Sequence, residues 1–187
     1  MLRVAEEPYG SAVAGRLVAA LHHEIGERYA DVDTFTPEEL AEDDAAYLAE
    51  VTPELVRAPL GTFVVAWLDG EPVGCGAVKP FGTADRVGEI KRMYTAPEAR
   101  RRGVSRAILE HLEAAAAELG YVRLYLETGL PQPEAIRLYE SHGWQRIPSY
   151  GRYKDTPSSV CFAKDLVEAS TPAVGARDLA TDVRPPA

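Results

Sequence analysis

The sequence is poor in cysteine, in long apolar runs and in surplus positive charge, and each shortage narrows what the protein can be. Cysteine occurs only at Cys75 and Cys161. Both lie inside apolar strand-like stretches, where two thiols in a reducing compartment are expected to be buried and unbridged, without chemistry of their own. No run approaches the roughly 18 consecutive apolar residues of a membrane-crossing helix, and the N-terminal MLRVAEEPYG carries two glutamates and no apolar run. Neither a signal peptide nor a membrane partner is therefore expected, and the cytoplasm is the expected location. The formal net charge of -9 argues against nucleic acid as a partner, because counterion release needs clustered Lys and Arg on an exposed face.

Several motifs are missing as well. No Gly-x-x-x-x-Gly-Lys-Ser/Thr run exists for a nucleotide P-loop, and Gly74-Cys75-Gly76-Ala77-Val78-Lys79 lacks the third glycine of a dinucleotide fingerprint. His22 and His23 are neighbours, so on a helix they splay roughly 100° apart, unlike the i, i+4 pair that holds zinc. They read as surface or acceptor-pocket residues, and no metal is expected.

What is present suits one ordinary core. The chain has 187 residues, 46% hydrophobic and 26% charged, the size and balance of a single globular domain. That domain is expected over residues 1–167, with a disordered tail over 168–187, where small residues and proline replace periodicity. Arg3 to Glu6 reads as a first strand. Val13, Leu17, Leu21 and Ile25 then share one helical face, and a second helix begins at Thr36-Pro37-Glu38-Glu39, a capping box with proline at the first helical position, and runs to about Val51. TFVVAWL and PVGCGAV are strands joined by Asp69-Gly70, a hairpin-turn dipeptide. RVGEIKRMYT reads as a strand with Val87, Glu89, Lys91 and Met93 on one face and Gly88, Ile90, Arg92 and Tyr94 on the other.

RAILEHLEAAAAELG is the clearest helix, with Ile108, Leu112, Ala115 and Leu119 as its buried stripe and Gly120 as its stop. YVRLYLET is a strand, PEAIRLYESHG a helix from Pro133 to Gly143, and WQRI and SVCFAKDL are two last strands. The order β-α-α-β-β-β-α-β-α-β-β predicts an α/β (α+β mixed) fold: a mixed central sheet of about six to seven strands with helices on both faces.

Charge is concentrated where one strand passes into the strongest helix. Between Glu89 and Arg106 lie Lys91, Arg92, Arg100, Arg101, Arg102 and Arg106 against Glu89 and Glu98 alone. The first amides of a helix lack intrahelical partners and sit at the positive end of its dipole, so a diphosphate placed there gains several hydrogen bonds. Gly103 allows close approach, and the arginines add charge-assisted contacts.

Arg100-x-x-Gly103-x-Ser105 resembles the acyl-CoA signature of the GNAT acyltransferase superfamily, written Arg or Gln, two residues, Gly, one residue, Gly or Ala; Ser105 departs at the last position. Gln132-Pro133-Glu134-Ala135-Ile136-Arg137-Leu138-Tyr139 followed by Gly143-Trp144 is similar to the family's second landmark, Asn-x-x-Ala-x-x-x-Tyr and a Gly-aromatic pair, with Gln132 in place of asparagine. The element order agrees over roughly residues 1–167. The resemblance implies a GNAT-like fold and transfer of an acetyl group from acetyl-CoA to a primary amine, on a small molecule or peptide, by direct attack in a ternary complex. It places Met93, Tyr94, Thr95, Arg100, Arg101, Arg102, Gly103, Val104, Ser105, Arg106, Gln132, Ala135 and Tyr139 against acetyl-CoA. Backbone groups of Met93 and Thr95 would pair with the pantetheine amides, and an N–H at Met93 or Tyr94 would polarise the thioester.

Tyr139, by the same resemblance, protonates the departing thiolate. An alkylammonium must lose a proton before it attacks; Glu89 is the expected base, with Glu127 in reserve. Lys91 or Arg92 is a candidate for an acceptor carboxylate. A homodimer is allowed, though the oligomeric state is not written in the sequence. Two other functions compete. A non-catalytic acyl-CoA-binding or sensor protein would keep the phosphate loop without turnover, and Gly103-Val104-Ser105-Arg106-Ala107 nearly matches a nucleophile elbow with His142 as base. An elbow follows a buried apolar strand, whereas Ser105 follows three arginines.

Overall fold

A computed structural model describes residues 1–30, 32 and 45–166. Along them run β1 (Leu2–Glu6), α1 (Ala12–Tyr29), β2 (Thr62–Leu68), β3 (Glu71–Pro80), β4 (Val87–Thr95), α2 (Val104–Glu118), β5 (Arg123–Gly129), α3 (Pro133–Ser141), β6 (Gln145–Ile147) and β7 (Ser159–Asp165). Residues 45–49 are helical. The capping box at Thr36 to Glu39 and the tail over 168–187 lie outside the described residues.

The strands form one sheet in the order β1-β2-β3-β4-β5-β7-β6. Among the described residues β4 and β5 alone pair in parallel, and every other pair is antiparallel. A parallel pair needs a crossover connection, and α2 supplies it. The β2–β3 turn puts Asp69 at φ 55° and Gly70 at φ 95°, the two positive angles of a mirror-image hairpin turn.

Helices cover both faces. On one, α2 buries Val104, Ile108, Leu109, Leu112 and Ala116, and α3 adds Ile136 and Tyr139 to the same cluster, which also holds Val64, Val78, Ile90, Leu126 and Phe162. The buried row thus runs at four-residue steps from Val104 and ends on Ala116, leaving the expected Ala115 and Leu119 only partly covered. A row of side chains four apart is the ridge a helix lays into its neighbour. Each of Ile108, Leu109 and Leu112 contributes roughly 2 kcal/mol of burial. The approach is close because Gly74 and Gly76 lie beneath: a Cβ on Gly76 would sit 2.7 Å from Ile108 and 2.8 Å from Leu112. On the other face, α1 buries Ala14, Leu17 and Val18 against Phe63, Val65, Cys75 and Ala77, and Leu21 is buried at the wall of the cleft. Its stripe is rotated from the expected one, with Val13 and Ile25 only partly covered. Ser11 caps this helix by accepting from the Ala14 amide at 3.1 Å.

Two irregularities in β4 shape the site. Opposite β3, Cys75 pairs with Tyr94 but Ala77 with Lys91, so β4 carries one extra residue. Arg92 takes the left-handed φ of 58° there, a β-bulge that reverses the alternation beyond it. Met93 therefore packs with Ile90 under α2 and not beside Glu89 and Lys91 as a regular strand would require. Second, the parallel register with β5 runs from Val87↔Arg123 to Ile90↔Leu126 and stops. Beyond that rung β4 and β5 separate, and a cleft opens between their C-terminal ends.

Candidate functional site

A cavity of about 410 Å³ lies against the end of β4, walled also by the C-terminal half of α1, the N-terminus of α2 and α3. Of the residues expected from sequence, Met93, Tyr94, Thr95, Arg100, Arg101, Val104, Ser105, Gln132, Ala135 and Tyr139 line it. Arg102, Gly103 and Arg106 are exposed at or beside the same helix start. Arg101 at φ 60° and Gly103 at φ 79° are both left-handed, which folds the arginine run back over the start of α2. Gly103 is the N-cap residue, so no side chain caps the helix, and no acidic residue lies in its first turn. The first intrahelical bond is Ala107 N–H to Gly103 O, 3.0 Å. The amides of Val104, Ser105 and Arg106 precede it and form the positive helix end. A Cβ on Gly103 would meet nothing within 4 Å. An anion of diphosphate size fits this open, positively polarised turn.

Arginine and glutamate from α1 cross the cleft in a way sequence reasoning missed. Arg100 Nε donates to Thr95 O at 3.2 Å, and its Nη2 donates to Glu24 Oε2. Glu24 also accepts from Arg28 Nε at 2.8 Å, while Arg28 donates to Pro131 O at 3.0 Å and to Glu134. This chain of contacts ties α1 to the turn before α2 and to the start of α3. Its only trace in the sequence is the i, i+4 spacing of Glu24 and Arg28; nothing local points 76 residues onward to Arg100.

Tyr139 stands at the inner end of the cleft, 4% exposed, with its ring 5.7 Å from that of Phe162 and 6.0 Å from that of Trp144. Burial pushes its phenol well above the ordinary value, so at neutral pH it is a proton donor. Gln132, the N-cap residue of α3, donates from Nε2 to the Tyr29 hydroxyl at 3.1 Å. Thr95 Oγ1 is buried and, among the described residues, has no hydrogen-bond partner; it is an unused polar group in the cleft wall.

Glu89 does not line this cavity. It sits on the opposite face of β4, 4% exposed, with Oε2 at 2.8 Å from Lys79 Nζ and Oε1 at 3.1 Å from Lys91 Nζ; the Tyr150 hydroxyl donates to it at 3.0 Å. Burial alone would raise its carboxyl, but Lys91 and Lys79 outweigh burial and hold it below the ordinary range. With Lys91, Glu50, Glu127, Phe81 and Tyr150 it borders a second cavity of about 110 Å³. Lys91 is committed to Glu89 and to Glu50 at 3.0 Å. Arg92 is 4% exposed, its guanidinium carbon 3.8 Å above the Tyr47 ring, and its Nε and Nη1 have no hydrogen-bond partner. Neither Lys91 nor Arg92 borders the larger cavity.

The competing chemistries find less support. His142 Nδ1 is 2.8 Å from Leu138 O, and His142 does not line the cavity that contains Ser105. Cys75 and Cys161 are buried free thiols; burial pushes the Cys75 thiol up to about 12. Among the described residues no group of three or more His, Cys, Asp or Glu is arranged to hold a metal ion, and no helix is long and apolar enough to cross a membrane.

Known proteins share this architecture and sequence. The model of the acetyltransferase (GNAT) family matches residues 18–144. The uncharacterized N-acetyltransferase YsnE of Bacillus subtilis (strain 168) is 42% identical over 115 residues, 60% of this chain and 75% of that protein. An IAA acetyltransferase of Azospirillum brasilense is 34% identical over 137 residues, 68% of this chain and 89% of that protein. Among solved structures, a GNAT family acetyltransferase from Elizabethkingia anophelis with acetyl-CoA bound superposes with a TM-score of 0.59 over 88% of this chain and 98% of its own, at 17% identity; that likeness is one of fold. A family match over 127 of the 187 positions, on a sheet that splays beside an uncapped helix start, makes the chain an acyltransferase of the GNAT family.

Proposed function

We propose that the protein transfers the acetyl group of acetyl-CoA to a primary amine, by direct attack while both substrates are bound, in the cytoplasm. One observation carries the reading: a single cavity contains both the uncapped start of α2 and the buried hydroxyl-bearing ring of Tyr139. The amides of residues 104–106 and Arg100 would hold the diphosphate. The pantetheine arm would then follow Met93 to Thr95, where β4 has no β5 neighbour and Thr95 Oγ1 lacks a partner. That path ends at Tyr139.

In this mechanism Tyr139 gives its proton to the departing sulfur, which lowers the barrier to C–S cleavage as general acids do. Backbone N–H groups at the bulge are candidates for polarising the thioester carbonyl. The bulge favours that role, because the residues on either side of Arg92 no longer alternate regularly and one edge of β4 faces the cleft.

A thiol-release assay with acetyl-CoA over a panel of amines, with IAA added because the Azospirillum relative carries that name, tests the reading. Amine-dependent release supports it. Tight acetyl-CoA binding by calorimetry with no release across the panel would instead favour a binding or sensor protein.

A further inference from the structure

The second cavity lies on the other face of the sheet, at the point where β4 and β5 part. The last parallel rung is Ile90↔Leu126, so Lys91 and Glu127 are the first residues past it, and both line the cavity. Alternation along β5 puts Leu126 in the cluster with Phe162 and Tyr139 and Tyr125 in the cluster with Phe81 and Tyr150; Glu127 follows Tyr125 to that second face. Phe162 is the register partner of Leu126 and packs on Tyr139. Tyr139 and Glu127 therefore stand at the same level of the sheet, on its two faces, flanking the gap.

Three carboxylates border the cavity, and their bonding differs. Glu89 is closed by Lys79, Lys91 and the Tyr150 hydroxyl. Glu50 holds Lys91. Glu127 accepts a hydrogen bond from Ser159 Oγ at 2.7 Å, and among the described residues no cation forms an ion pair with it. Burial pushes its carboxyl above the ordinary value, with Glu50 and Glu89 adding to the effect, while Ser159 and Lys91 oppose it. Arg152 is exposed at the mouth. The space equals roughly four water volumes, enough for the end of an unbranched alkyl chain lying beside the Phe81–Tyr150 ring pair, whose centroids are 5.1 Å apart.

We propose that Glu127, and not Glu89, is the catalytic residue that docks the acceptor and takes its proton, and that the acceptor presents a primary alkylammonium to the cavity of Glu50, Phe81, Lys91, Glu127 and Tyr150. This rests on the acetyl-transfer reading above. One N–H proton of the ammonium passes to the Glu127 carboxylate. The freed lone pair forms the C–N bond to the thioester carbonyl carbon, the C–S bond breaks, and sulfur leaves with the Tyr139 hydroxyl proton. The second nitrogen proton returns to the Tyr139 oxygen through water, and Glu127 later loses its proton to solvent. Glu89 then serves as a positioning residue that fixes Lys91 beside Glu127.

The test compares wild type and Glu127→Gln with two probes: n-butylamine, protonated at neutral pH, and 2,2,2-trifluoroethylamine, already neutral there. Removal of a general base is expected to lower kcat/KM for n-butylamine about 100-fold, with acetyl-CoA affinity by calorimetry unchanged and a much smaller loss with the trifluoro amine. An equal loss with both probes would assign Glu127 a structural role and overturn the proposal, as would an unaffected variant. Turnover of aniline but not of n-butylamine by the wild type would overturn the alkylammonium class. If the wild type turns over no amine at all, the transfer reading itself fails and this assignment falls with it.

Discussion

Lys79 and Glu89 sit directly opposite one another in the β3–β4 register, and their side chains close a 2.8 Å ion pair in a position where each residue is at most 8% exposed. A buried pair of this kind is weak support for stability while intact but costly to break, because the survivor is left charged and desolvated. Glu89→Gln is therefore expected to lower unfolding stability by about 3 kcal/mol, read as a shift in the urea midpoint at neutral pH.

The same pair sets an acid limb. Because Lys91 and Lys79 hold the folded Glu89 carboxyl below its ordinary 4.5, the unfolded chain binds this proton more readily than the folded one. The contribution is thus fully present above that ordinary value and is lost as pH falls through the folded one. Urea titrations from pH 6 to pH 3 should show wild type losing stability on the acid side, with Glu89→Gln lacking this component of the slope. Parallel slopes would show that the ion pair contributes nothing.

Tyr139→Phe removes one hydroxyl from a ring that keeps its contacts with Phe162 and Trp144. Turnover is expected to fall about 100-fold with little change in acetyl-CoA affinity. Loss of affinity with kcat preserved would make Tyr139 a binding residue only.

Arg100 is held by Thr95 O and Glu24 beside the start of α2. A well-made charge-assisted contact is worth about 1.5 to 3 kcal/mol, but the Arg100 side chain is 36% exposed and solvent screening takes the lower end. Arg100→Ala should weaken acetyl-CoA binding roughly tenfold, with a shallower salt dependence than wild type. Unchanged affinity at low salt would detach the arginine from the diphosphate.

Gly76 lies under α2, where any Cβ would fall 2.7 Å from Ile108, 2.8 Å from Leu112 and 2.9 Å from Met93. Gly76→Val overpacks this layer and is expected to cost about 1 to 3 kcal/mol, seen as a lower Tm in differential scanning calorimetry. A neutral result would mean that α2 moves off the sheet at little expense.

Much of the fold was legible in the sequence. Hairpin chemistry at Asp69-Gly70, helix punctuation at Pro133, Gly120 and Gly143, and the left-handed turn at Gly103 are local features, each fixed by the φ range or hydrogen-bonding habit of a few adjacent residues. So were the strand count and the two-sided layering. The Glu24–Arg100 link, the rotated stripe of α1 and the separate cavity around Glu127 were not, since each depends on which distant element lies opposite.

The order of elements, the uncapped start of α2 and the chemical type of each cleft residue belong to the chain itself, because propensity and capping act over a few neighbouring positions. The tertiary structure decided where β4 and β5 part and which carboxylate beside the gap has, among the described residues, a hydroxyl partner and no ion pair. One inserted residue at Arg92 reverses the facing of everything after it, and two lysines reach Glu89 while, among the described residues, none forms an ion pair with Glu127. Such outcomes follow from register and charge pairing between strands far apart in sequence, which no local pattern encodes.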